Sequence, residues 1–268
     1  MTDASAVARF RAEYGAHRAS EGRAYSTAEL HALPFLDSGP LAKQWAVRAR
    51  SYTAFVSRIV EPLARAIDRP LRLLDLGAGN GWLAWRMAQT GIECIAADIR
   101  DDAVDGLGAA ASYADETRTR FRRVVASFDA LPFRARAFDL VVFNASLHYA
   151  LDLELVLREA RGCVRAGGRI VILDSPFYRH DADGAAMVRE KRETAAQQFG
   201  TRAAALTALP FIEYMTRERL DAASRNLGLR WRRHRVQYPL WYELRPIVAR
   251  LRGRRRPSRF DIWETAAS

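Results

Sequence analysis

The sequence predicts a doubly wound α/β fold with a mostly parallel sheet, and three observations carry that prediction. Apolar runs at 71–76, 92–97, 121–126, 138–143 and 169–174 are short and nearly continuous, as strands buried on both faces of a parallel sheet should be. Helical patterns at about 80–90, 101–114 and 153–164 fall between them, and strands alternating with helices argue for this architecture. A glycine-rich turn follows the first run directly, and such sheets place ligands beyond the carboxyl ends of their strands.

Taken in order, residues 1–66 read as amphipathic and helical, with a break at His31-Ala-Leu-Pro34 and a turn at Asp37-Ser-Gly-Pro40. Leu41 to Ile67 forms one long helix pattern. The five strands and their helices follow, and region 181–228 returns to helical patterns with a loop around Ala208-Leu-Pro-Phe211. Leu229–Val236 and Arg259–Glu264 read as a closing strand pair around a basic, aromatic insert at 237–258. This divides the chain into an N-terminal helical cap or lid (1–68), a ligand-binding core (69–180) and a C-terminal part with helical insertions, closing strands and the basic insert (181–268).

A chain of 268 residues that is 49% hydrophobic can bury one sizeable core with appendages. Its N-terminus has no apolar leader, and no run approaches the roughly 18 apolar residues that a membrane span needs, so a cytoplasmic protein is expected. Cys94 and Cys163 fall inside apolar segments and lack the spacing for metal or redox work, which predicts buried, inert thiols. The net charge of +11 is uneven. From Arg217 to Arg259, fourteen arginines face only Glu218, Asp221 and Glu243, a local +11 that leaves the rest of the chain near neutral. Such a tail is either a solvated face or a contact for an anionic partner: acidic substrate, membrane surface or nucleic acid.

The turn Leu73-Leu-Asp-Leu-Gly-Ala-Gly-Asn-Gly-Trp82 places glycines at 77, 79 and 81. Glycine suits a sharp exit from a strand and a close backbone approach by a ligand. The dinucleotide fingerprint is G-x-G-x-x-G, however, and here the third glycine comes one residue early. Asp75, just before the turn, would repel a pyrophosphate but could accept hydrogen bonds from a cationic amino group, directly or through water. A nucleoside bearing an amino acid fits better than a nicotinamide dinucleotide. Asp98 ends the second strand 21 residues after Gly77 and is placed to accept both ribose hydroxyls.

Four stretches in this order, LDLGAGNGW, IAAD, FDALPFRARAFDLVVFNASLHY and LREARGCVRAGGRIVILD, resemble the class I S-adenosylmethionine-dependent methyltransferases. The likeness runs from about Leu71 to Pro176 and is greatest to the type 11 small-molecule group, which includes quinone-biosynthesis C-methyltransferases. It implies a Rossmann-like sheet and S-adenosyl-L-methionine as the cofactor. Carried over, it implies that Asp75, Gly77, Gly79 and Gly81 line the methionine part, that Asp98 holds the ribose and that Ile99 packs on an adenine face. Arg100 is a rim residue.

The third motif departs from the family pattern, because Ser127 stands where relatives often carry an Asp. Ser127 and Phe128 are expected to border the adenine, with the Phe128 N–H as a donor. Asp129 either supplies the acceptor or caps a turn. Asn144 ends the fourth strand where the transferred methyl should lie, and Asn144-Ala-Ser-Leu147 lacks the prolines and aromatic of the amino-methylating enzymes of nucleic acids.

Methyl transfer is an in-line displacement, so alignment supplies most of the acceleration. His148 is the candidate general base by position, or else a hydrogen-bonded structural histidine, and Tyr149 carries the same two readings. Trp45, Arg48 and Tyr52 share a helical face. Arg48 would pair with the methionine carboxylate, or else face solvent while Trp45 and Tyr52 join the core. Tyr14–Arg23 is polar enough to contribute to a lid. Phe177, Tyr178, Phe211, Tyr214, Tyr238, Trp241 and Tyr242 are candidates for covering a flat or lipophilic acceptor, or else about half of them are ordinary core. The leading reading is therefore O-, C- or N-methylation of a small hydrophobic or aromatic metabolite. The alternative keeps the fold and uses the arginine-rich tail to bind nucleic acid or another acidic surface, an RNA methyltransferase included, with peripheral membrane contact a further use of the tail.

Overall fold

A computed structural model of the chain describes residues 22–113, 121–199 and 209–267. Its centre is a seven-stranded sheet in the order β3-β2-β1-β4-β5-β7-β6. The strands are β1 (Arg72–Leu76), β2 (Glu93–Asp98), β3 (Phe121–Val125), β4 (Phe138–Asn144), β5 (Val164–Leu173), β6 (Arg232–His234) and β7 (Ile262–Ala266). The first five are parallel. β7 enters antiparallel beside β5, with Val171 opposite Glu264, and β6 closes the edge antiparallel to β7. The expected closing pair is present.

Every residue of β4 is buried, which explains why the strands read as apolar runs without alternation. One face of the sheet, with Leu73, Val142 and Val171, packs against Trp45 and Phe55 of α2 (Ala42–Phe55) and Leu83 of α4 (Trp82–Gln89). The other face, with Leu74, Phe143 and Ile172, packs against Leu157 of α5 (Leu153–Cys163) and Leu220 of α7 (Arg217–Ser224). Cys94 and Cys163 are buried free thiols in these two layers.

The long N-terminal helix forms as read, running from α2 through a π-helical turn at Val56–Val60 into α3 (Glu61–Ala66). Before it lies α1 (Thr27–Ala32), whose Ser26 and Glu29 form a capping box. It ends at the break read from His31-Ala-Leu-Pro34. α6 (Asp181–Phe199) fills part of the helical region 181–228, and α8 (Leu240–Glu243) and α9 (Arg245–Leu251) occupy the basic insert. Among the described residues, no helix is long and apolar enough to cross a membrane.

One helical reading fails. Residues 101–113 form turns and a single 3-10 turn at Ala109–Tyr113. The Asp102 carboxylate accepts from the N–H groups of Val104 and Asp105, offering the backbone a turn in place of a helix. Gly106 and Gly108 then pack so tightly on Asp102 that an added Cβ would lie 2.7 and 2.8 Å from its atoms, respectively. Residue 114, and the Tyr14-to-Arg23 lid segment up to residue 21, lie outside the described residues.

Candidate functional site

Chain order reverses between β1 and β4, the switch point at which such sheets open a crevice. A cavity of about 700 Å³ lies there. Its floor is the glycine turn. Gly77, Gly79 and Gly81 all adopt left-handed φ, +72°, +54° and +74°. A Cβ on Gly77 would sit 2.4 Å from Ser146 Cβ and 2.8 Å from Phe128 Cζ, so only glycine lets the turn pass the exit of β4. The N–H groups of Gly77 and Ala78 donate to the Ala97 carbonyl at 2.8 and 3.1 Å, pinning the turn to the end of β2.

Asp98 completes that bond pattern. Its Oδ2 accepts from the Gly79 N–H at 2.8 Å and its Oδ1 from the Arg100 N–H at 2.8 Å. Burial pushes the Asp98 carboxyl up, and these two donors hold it against that rise without cancelling it. Asp75 behaves differently. It is wholly buried one residue inside β1, neither carboxylate oxygen has a hydrogen-bond partner, and it does not line the cavity. Burial, and then the charge of Asp98, push its carboxyl up to about 8. Asp75 is thus buried in the layer of Leu73, next to the turn and off the cavity wall.

Nine of the twelve residues singled out in the sequence line the cavity: Arg48, Gly77, Gly79, Asp98, Ile99, Ser127, Phe128, Asp129 and Asn144. Asp75, Gly81 and His148 do not. Gly81 instead opens α4, with the Phe121 ring 3.1 Å from where its Cβ would be. His148 sits a residue off the wall. Its carbonyl accepts from the Glu213 N–H at 2.8 Å, and its ring centroid is 4.3 Å from that of Tyr149, which does line the cavity.

The long helix α2 supplies one side of the cavity. Trp45 is buried and lines the wall, and the Arg48 guanidinium lies 5.0 Å from its ring centre, so the two readings of this face combine. Ser51, a turn further on, donates to Asp174 at the end of β5 at 2.5 Å and meets the Tyr238 hydroxyl at 2.8 Å. This buried link fixes the helix over the strand ends. Asn144 is buried with no partner for its Oδ1, and the next residue, Ala145, takes a left-handed φ of +55° in the wall. Backbone held in that region collects at binding sites.

The aromatic candidates divide between cavity, core and surface. Of the seven candidates only Phe211 lines the cavity. Phe177 stacks on Trp263, Tyr178 meets Tyr214 edge to face, and Tyr238 packs on Tyr242, so these five rings complete the core, while Trp241 faces solvent. The apolar wall comes instead from Tyr149, Leu151, Leu155, Val156 and Leu209. Arg23, which ends the polar segment read as part of a lid, also lines the cavity, and so do Asn80 and Asp105, which the sequence reading did not single out. Asn80 Nδ2 donates to Asp105 Oδ1 at 3.2 Å, and the Asp102 turn sets Asp105 in place. The acid-rich Asp101-Asp-Ala-Val-Asp-Gly106 signals that turn. Arg23 Nη2 donates to Gln44 Oε1 at 2.9 Å.

A parallel sheet wound both ways from β1 and β4, a glycine turn at that point and an antiparallel strand inserted beside β5 define the class I methyltransferase fold. Residues 74–172 match the family model described as "Methyltransferase domain". The uncharacterized methyltransferase YcgJ of Bacillus subtilis is 30% identical over 106 residues, 38% of this chain and 40% of that protein. Its crystal structure superimposes with a TM-score of 0.56 at 16% identity, covering 82% of this chain and 99% of the other, which bears on the fold. The ubiquinone/menaquinone biosynthesis C-methyltransferase UbiE of Bradyrhizobium diazoefficiens is 32% identical over 111 residues, 40% of this chain and 43% of the relative. The human mitochondrial arginine-hydroxylase NDUFAF5 is 32% identical over 135 residues, 47% of this chain and 37% of that protein. The chain thus spans less than half the length of these curated relatives.

Proposed function

We propose that the protein transfers a methyl group from S-adenosyl-L-methionine to a small, hydrophobic or aromatic metabolite. The observation that carries this reading is the Gly77–Gly79 turn bonded to Asp98 beside Asn144, all in one cavity at the switch point. These residues fit the cofactor. Asp98 offers a carboxylate to ribose hydroxyls, Ile99 and Phe128 offer apolar contact to a base, and Ser127, Asp129 or the Phe128 N–H can bond its edge. Asn144 offers a buried acceptor without a partner, and Arg48 a cation for the amino-acid carboxylate.

When bound, the sulfonium supplies an electrophilic methyl group. The chain's own part is alignment and exclusion of water, and the wall of Tyr149, Leu151, Leu155, Leu209 and Phe211 suits both. That wall also supports a lipophilic acceptor, as does the quinone named in one relative. Another relative named as a hydroxylase is a reminder that function lives in the site and not in the fold. Calorimetric titration with S-adenosylhomocysteine tests the reading. Low-micromolar to sub-millimolar binding, unaffected by NAD, is expected, and absence of binding overturns it. A structure of that complex would then show which acceptor atom the cavity can present.

A further inference from the structure

We propose that the helical insert between β6 and β7 docks the protein onto a membrane surface rich in anionic lipid. Bonds four residues apart run through α8 and α9: Leu244 N–H to Leu240 O at 2.9 Å, Val248 N–H to Leu244 O at 3.1 Å and Arg252 N–H to Val248 O at 3.1 Å. Leu240, Trp241, Leu244, Ile247, Val248 and Leu251 therefore fall at helical spacing on one face. In a globular protein such a stripe faces the core. Here it faces solvent, with exposures from 40% at Leu244 to 81% at Leu251.

The opposite side of the insert is anchored. Tyr242 is buried and its hydroxyl accepts from the Phe260 N–H at 3.0 Å. Arg245 lies 3.6 Å from the Tyr242 ring centre and donates to the Ser258 carbonyl at 2.7 Å. Arg259 joins Glu243 to Asp261. The apolar stripe is thus held outward by a bonded underside.

Charge selects the occupant. Arg250, Arg252, Arg254 and Arg256 are exposed beside the stripe and make no ion pair among the described residues. A face of leucine and tryptophan flanked by arginine is the composition of a helix that lies in a lipid interface, where anionic headgroups meet the cations. Nucleic acid would satisfy the arginines and leave six large apolar side chains wet. A second copy of the chain would cover the apolar stripe while bringing like charges together.

Co-sedimentation of the full chain with phosphatidylcholine vesicles, with and without phosphatidylglycerol, tests the proposal. Binding is expected only with phosphatidylglycerol, accompanied by a blue shift of tryptophan emission that Trp241→Phe removes. Replacing Arg252 or Arg254 by Gln weakens partitioning about fivefold each, and added salt weakens it further. Leu244→Glu with Leu251→Glu abolishes it, with thermal unfolding unchanged because both positions are exposed. No sedimentation with anionic vesicles overturns the proposal, and so does vesicle binding that survives the two Glu substitutions. Self-association lost in Leu251→Glu without vesicle binding, or RNA binding in its place, overturns it equally.

Discussion

The backbone N–H of Gly79 donates to Oδ2 of Asp98 at 2.8 Å, so the side chain proposed to hold the cofactor's ribose also fastens the turn proposed to cradle its amino-acid end. Asp98→Ala removes both this bond and the one from the Arg100 N–H. Affinity for S-adenosylhomocysteine should fall by about 10- to 100-fold, since charge-assisted bonds contribute about 1.5–3 kcal/mol each. Asp98→Asn, which keeps an acceptor, should lose less. Calorimetry on the three proteins checks the order, and an affinity unchanged in Asp98→Ala would contradict it.

Two glycine substitutions should have opposite signs. Gly77→Ala places a methyl 2.4 Å from Ser146 Cβ at a φ of +72°, and should cost about 1–3 kcal/mol or more through overpacking and strain. Gly162 lies in α5, where an added methyl would meet nothing within 4 Å, and Gly162→Ala should stabilise by about 0.5–1 kcal/mol. Urea unfolding midpoints measure both.

Asp75 gives the stability a pH slope. Its pKa rises from 3.8 to about 8 on folding. Between those values the folded protein keeps a proton that the unfolded chain releases, so this group makes stability fall as pH rises from about 4 to about 8, with no further change above. Asp75→Asn lacks that slope. The variant should gain on the parent across this window, by an amount on the order of a few kcal/mol at its upper end. Urea unfolding at a series of pH values reads the difference, and a gap that does not vary with pH would count against a raised Asp75.

His148 lies off the cavity wall while Tyr149 lies on it. Loss of a general base typically costs about 10²–10⁴-fold in rate. His148→Ala should cost less than about tenfold at saturating substrate, and the pH profile of turnover should keep its shape. A loss of about a hundredfold or more, with a limb of the pH profile gone, would identify His148 as the base.

The fold was legible because a sheet buried on both faces leaves uninterrupted apolar runs, and β1, β2, β4 and β5 each carry one. The glycine turn and Asp98 were legible because their demands are local: a left-handed φ, a close approach, a carboxylate at a strand end. The acceptor side was not. Leu155 and Val156 look like any inward residues of an amphipathic helix, and Leu209 reaches the cavity only through the path of an irregular segment. The aromatic residues misled for the complementary reason, since Phe177, Tyr178 and Tyr214 serve a core as readily as a pocket. Spacing names Asp75 as a strand residue without saying to which face of the sheet its carboxylate projects.

β6 and β7 are consecutive in the chain and neighbours in the sheet, so everything between His234 and Ile262 is, in topological terms, the loop of one very long hairpin. The entropy of closing a loop grows only slowly with its length. An excursion at this edge lengthens no crossover and shifts no strand register in the parallel core. The exposed leucines and arginines thus sit on an excursion from this margin whose outer face can be enlarged, trimmed or exchanged while Tyr238 keeps the bond to Ser51 that holds the helix over the crevice.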